Sequence, residues 1–267
     1  MTQTLRRAIE TAEDLPLWRD HFPDDSILPG IVQLRAAVDT ALAAGPAETR
    51  LASVERLKFS RPIRPGDPVE LVLDLDSAPP TTASFRIECD GTIASSGRLP
   101  VAEPEPPPDA ALSHHEPLED PPDIGEVLAH RGSMSWLARV VSHDPNRTCC
   151  EVDLDRTAQF FDAALVSPAF CALEWMAQCA SAHDNYARRV RLDARSSPRV
   201  GYLLGTRRLG LFRLHVDTRV PVFVEAVCRW GGSTALAAFD CRVFDSTGAA
   251  IAEARVSCLS PTFEESR

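Results

Sequence analysis

The chain has no apolar run approaching the ~20 residues that cross a bilayer, so its sequence predicts no membrane span. No apolar signal core follows Arg6 and Arg7, which points to a cytoplasmic protein. Basic residues are in short supply: 28 Lys and Arg stand against 38 Asp and Glu, for a net charge of −10. That balance excludes the basic footprint a nucleic acid needs and disfavours an anionic membrane surface. The 8 cysteines contain no Cys-x-x-Cys pair, and Cys89 is alone in the first half. Adjacent Cys149 and Cys150 would point to opposite faces of a strand. Reduced core thiols are the expectation, with neither a disulfide framework nor metal-ligand spacing. His114-His115 lies in a polar stretch and reads as solvated.

What is present is enough for two ordinary domains. The 267 residues are 44% apolar and 25% charged, as in typical globular proteins. Residues 102–123 hold Pro104, Pro106, Pro107, Pro108, Pro117, Pro121 and Pro122 among acids. Such composition cannot bury a core and predicts a semi-stiff linker between domains at 1–101 and 124–267. In the first domain, apolar spacing predicts a helix from Gly30 to Ala44, ended by Gly45-Pro46. Strands are expected at 54–60, 69–76, 83–89 and 92–99, with Asp90-Gly91 as a hairpin turn. The second domain repeats the order: strands at 136–143 and 148–154, a helix over 170–190, then strands at 202–214, 222–230, 235–244 and 250–259. Each half is thus a mostly buried helix followed by an antiparallel meander. A sheet wrapped round a central helix is the hot-dog fold, and the chain is expected to be a double hot-dog of the α+β class.

The halves also echo one another in detail. Laid so that Phe22 meets Phe161 and Pro29 meets Pro168, His21 falls on Phe160 and Arg35 on Glu174. One copy keeps a base without an acid, the other an acid without a base. Two degenerate halves sharing one working site would explain this. His21 lies in a loop ahead of Pro29-Gly30, where the Gly30 amide and the positive helix end suit a carbonyl acquiring negative charge. A plain loop-to-helix junction is the simpler account of Pro29-Gly30. Glu174 stands in the apolar segment Ala172 to Gln178, where desolvation would raise its pKa and suit a general acid. A solvated stripe or a pair with Arg35 is its structural alternative. Cys171 reads as a core thiol rather than a nucleophile, since no paired histidine is evident.

His21-Phe22-Pro23 through Pro29-Gly30, followed by Arg61-Pro62-Ile63-Arg64-Pro65-Gly66-Asp67, resembles the 3-hydroxyacyl-acyl-carrier-protein dehydratases of fatty acid synthesis. Leu128-Ala129-His130-Arg131-Gly132-Ser133-Met134, Leu173 to Gln178 and Gly201 to Thr206 resemble the same family. The two halves are most similar to the paired dehydratase subunits of aryl polyene clusters, here fused. The resemblance implies His21 as base, Glu174 as acid and the Gly30 amide as carbonyl donor, with Phe22, Pro29 and Gln178 at the substrate. It implies no metal and no bound cofactor, because the substrate rides on the phosphopantetheine of an acyl carrier protein. Lys58, Arg61 and Arg64 could meet that carrier or its arm, or form a solvated strand end. The implied assembly is a pseudo-dimer within one chain, with room for further oligomers. The rival functions are a hot-dog thioesterase and a carrier-binding scaffold with a decayed site.

Overall fold

The computed structural model describes residues 3–46, 50–77, 80–108, 117–161, 166–192, 197–231 and 235–260. His114 and His115 lie outside them. The first half runs β1 (Gln3–Ile9), α1 (Leu17–Asp20), α2 (Gly30–Ala44), β2 (Ser53–Phe59), β3 (Val69–Leu75), β4 (Thr82–Cys89) and β5 (Thr92–Pro100). The second runs β6 (Leu137–Asp144), β7 (Arg147–Val152), α3 (Leu154–Phe160), β8 (Val166–Pro168), α4 (Ala172–Leu192), β9 (Tyr202–Leu211), β10 (His215–Asp217), β11 (Val222–Trp230), β12 (Leu236–Asp245) and β13 (Ala250–Leu259).

Local chemistry accounts for these elements. β4 alternates half-buried and buried positions, so Ala83, Phe85, Ile87 and Cys89 share the core face. Asp90 and Gly91 both take positive φ, the conformation a two-residue hairpin between β4 and β5 requires. Helix α2 buries Ile31, Leu34, Ala37, Val38 and Ala41 at helical spacing. In α4, Trp175, Met176, Cys179, Ala180 and Ala182 are all buried, and the small residues let strands approach closely.

The halves join edge to edge. One 11-stranded sheet runs β1-β3-β4-β5-β2-β9-β13-β12-β11-β7-β6, and its two halves meet where β2 pairs antiparallel with β9. Gly205 makes that seam: at φ +139 a Cβ would sit 2.0 Å from the Leu57 carbonyl oxygen. Helices α2 and α4 touch inside this continuous sheet, and a single apolar core includes residues of both halves. This is a double hot-dog. The expected strands and both long helices are present, with ends moved by a few residues. β1, α1, α3 and the short β8–β10 pair were not anticipated. No described helix is long and apolar enough to cross a membrane.

Candidate active site

The loop from α1 to α2 is fixed by its own polar groups. The Trp18 indole N–H donates to the Ala12 carbonyl at 2.7 Å, and the Ser26 hydroxyl donates to the Trp18 carbonyl at 2.9 Å. Leu28 N–H reaches the Ile63 carbonyl at 2.9 Å, tying the loop to the segment after β2. His21 follows directly after α1, and its Nδ1 lies 2.9 Å from the Ile27 carbonyl. That contact puts the proton on Nδ1 and leaves Nε2 as a bare acceptor. Phe22 takes φ +57, unusual for a bulky residue. Aromatic packing holds it there: its ring stacks on His21 at 4.2 Å and meets His130 at 4.7 Å and Tyr202 at 6.0 Å.

The second half supplies the facing wall. Glu174 lies in the first turn of α4 and is buried, only 5% exposed. Its Oε1 accepts from Gln178 Nε2 at 2.9 Å and lies 3.3 Å from His130 Nε2. Gln178 is itself locked: its Nε2 also reaches the Met134 carbonyl at 2.8 Å, and its Oε1 accepts from Trp136 N–H at 2.9 Å. His21, His130 and Glu174 present side-chain atoms all within 4.8 Å of one another. Three such atoms could hold a divalent cation, although they come from separated segments that no sequence spacing connects.

A cavity of about 350 Å³ opens at this cluster. His21, Phe22, Gly30, His130, Glu174 and Tyr202 are among the residues that line it. A Cβ on Gly30 would lie 2.7 Å from the Phe59 ring, so any larger residue here requires that ring to move. Its N–H begins α2, where an amide has no intrahelical acceptor. Pro29 and Gln178, expected at the substrate, are buried and are not among the residues that line the cavity. Pro29 forms the cap of α2, and Gln178 acts on Glu174. Arg61 and Arg64 line the cavity, with Arg64 paired to Asp25 at 2.5 Å. Asp25 also accepts from the Tyr202 hydroxyl, which lowers its pKa, while burial and Asp25 push the phenol up to about 12.

Electrostatics correct one expectation. Burial pushes the Glu174 carboxyl up, as anticipated, but hydrogen bonding and charge from His130, charge from His21 and the Gln178 N–H outweigh it. The net direction is down, and the carboxylate form is favoured. Burial, reinforced by His130, lowers His21 to about 4 against a partial pull from Glu174. Glu174 is neither on a solvated stripe nor paired with Arg35. Cys171 is a buried free thiol, pushed well above its ordinary range by desolvation. His130 is the site residue that composition and spacing missed. Its only sequence signal was the Leu128 to Met134 motif, which assigned it no role.

Residues 122–267 match the ApeP-like family, described as ApeP dehydratase, and residues 1–98 match the ApeI-like family, described as ApeI dehydratase. The 3-hydroxyacyl-[acyl-carrier-protein] dehydratase FabZ of Aliivibrio fischeri is 34% identical over 101 residues, 34% of this chain and 67% of that protein. FabZ of Polynucleobacter asymbioticus is 26% identical over 96 residues, 33% of this chain and 64% of that protein. The chain therefore spans about two thirds of the length of these curated relatives. A trans-AT PKS dehydratase domain from Brevibacillus brevis shares the fold, with a TM-score of 0.68 at 14% identity over 97% of this chain and 94% of that one.

Proposed function

The chain belongs to the ApeP-like dehydratase family, and on that footing we propose that it dehydrates a 3-hydroxyacyl thioester, carried on an acyl carrier protein, to the trans-2-enoyl thioester. The observation that carries this reading is one cavity faced by His21 from the first half and Glu174 from the second. We read residues 1–101 and 124–267 as two hot-dog domains and 102–123 as the linker.

His21 is the base. Lowered to about 4, it is neutral across the neutral range, and its Nε2 takes the proton from C2. Charge then grows on the thioester oxygen, which the Gly30 amide and the α2 N-terminus stabilise. Glu174, favoured as a carboxylate, holds the C3 hydroxyl by accepting its hydrogen bond. The C2–H electron pair becomes the C2=C3 bond, and the C3–O bond breaks. The departing hydroxide takes a proton from the His21 imidazolium and leaves as water, so the enzyme ends as it began. The atoms balance without a redox partner or cofactor. Arg61 and Arg64 line the same cavity, and their positive charge supports contact with the phosphate of a phosphopantetheine arm.

Mass spectrometry of a 3-hydroxyacyl carrier protein after incubation tests the reading. Loss of one water from the loaded carrier is expected. Release of free acid would make the protein a thioesterase, and an unchanged carrier would make it a scaffold.

A further inference from the structure

We propose that His130 is a positioning residue: with Gln178 it pins Oε1 of Glu174, turning Oε2 toward the substrate's C3 hydroxyl. This rests on the dehydratase reading above. Two side-chain nitrogens converge on one carboxylate oxygen, Gln178 Nε2 as a hydrogen-bond donor at 2.9 Å and His130 Nε2 at 3.3 Å. They come from different segments, so the carboxylate plane is fixed from two directions and the second oxygen is left for the cavity that Glu174 lines. The proton of His130 belongs on Nε2. Its Nδ1 is buried without a hydrogen-bond partner among the described residues, and a lone pair there costs less than an unsatisfied N–H.

The segment that carries His130 is built to hold it against the base. Arg131 N–H donates to the Asp20 carbonyl at 2.8 Å. Ser133 donates to the Asp20 carboxylate from its amide at 2.8 Å and its hydroxyl at 2.6 Å. Gly132 has φ +48 and lies so close that a Cβ would meet Asp20 Oδ1 at 2.4 Å. Asp20 immediately precedes His21. One residue thus anchors both imidazoles, whose centroids are 5.2 Å apart. His130 couples the loop of one half to the carboxylate of the other, a job that neither long helix performs.

The test compares His130→Phe, which keeps an aromatic ring but has no donor, with His130→Gln, which restores an N–H of similar reach. His130→Phe should lower kcat about 10-fold with KM changed less than threefold, the scale of one hydrogen bond to a charged group. The groups facing Glu174 are His21 from the α1–α2 loop, His130, and Gln178 and Cys171 on its own helical segment, with Arg35 of α2 beside Cys171. Loss of the His130 donor should therefore move the acid limb of kcat/KM to higher pH, because the carboxylate has lost support. His130→Gln should recover most of kcat. Wild-type kcat with an unmoved limb in His130→Phe would overturn the proposal, as would a folded His130→Gln no better than His130→Phe. Should His130→Phe not fold, His130→Asn carries the test, since its amide is too short to reach Oε1; full activity there would overturn it. Glu174→Gln, assayed in parallel, separates the two readings. Full activity in that variant removes the dehydratase assignment of the site, whereas an inactive Glu174→Gln beside a fully active His130→Phe removes only the role of His130.

Discussion

The loop-and-helix unit occurs at Gly30 and again at Ala169, and the two copies have diverged at every position chemistry would use. At Gly30 the helix start borders the cavity, with His21 on one side and Glu174 on the other. At Ala169 the equivalent amide is already spent, donating to the Leu214 carbonyl at 2.9 Å. Phe160 stands where the base would be and packs at 5.1 Å on Trp136 and 5.2 Å on Phe161. Arg35 stands where the carboxylate would be. Its guanidinium lies 4.6 Å over the Phe161 ring, donates to the Phe160 carbonyl at 3.2 Å and pairs with Asp39 at 3.5 Å. Aromatic packing and a cation–π contact thus occupy the positions in the second copy that correspond to His21 and Glu174.

The strongest way to break this comparison is to disable each copy in turn. His21→Ala and Glu174→Gln should each cut turnover ~10²-fold or more, the scale of lost general acid–base and orienting contacts. The double variant should be little worse than either single one, since both groups serve one step. Steady-state kinetics with a loaded carrier checks this, and a strictly additive loss would place the two residues in separate sites.

pH sharpens the contrast next. His21 is lowered from 6.5 to about 4, so between those values the unfolded chain binds the proton that the folded chain refuses. Its contribution to stability is fully present above about 6.5 and is lost as pH falls toward about 4. His143, also lowered to about 4 by burial, adds in the same direction. Urea unfolding at pH 5 and pH 7.5 should show lower stability at the acid value, and His21→Ala should narrow the difference. The activity of the wild-type protein should fall only as pH approaches about 4, where His21 in the folded chain takes up its proton.

The filled copy should respond through stability instead. Phe160→Ala should cost roughly 1–3 kcal/mol, less than a fully buried phenylalanine because the ring is half-buried. Turnover should remain, because Phe160 has no proton to give. Arg35→Ala should have the smallest effect, about 0.5–1 kcal/mol for a partly exposed cation–π contact. Its kcat should stay within about threefold of wild type. Thermal unfolding alongside kinetics measures both, and loss of turnover in folded Arg35→Ala would assign chemistry to the wrong copy.

Much of this was legible before folding. Apolar periodicity placed α2 and the β3, β4, β5 and β11–β13 strands, because each has one face that must leave water. The pairing of a His without a partner acid and a Glu without a partner base was visible by laying one half on the other. Elements without such a face were hidden. β1 carries Gln3, Arg6 and Arg7, and becomes a strand only because β3 offers it an unpaired edge. α1 spans only 4 residues, too few to show a period. His130 was invisible as a site residue, since nothing local brings it to Glu174.

The sequence by itself determined the two helix-and-meander halves and offered His21 and Glu174 as the candidate base and carboxylate. These depend on side-chain period, backbone freedom and residue chemistry, all of which are local. Tertiary structure alone decided that the sheets join at β2 and β9, that Arg35 and Phe161 fill the second copy, and that His130 meets Glu174. It also decided the direction of Glu174's ionisation. Burial is predictable from an apolar segment and pushes a carboxyl up, but the histidines that chiefly reverse it, His130 and His21, arrive from residues distant in the chain. Their arrival is a property of packing, and only the folded chain contains it.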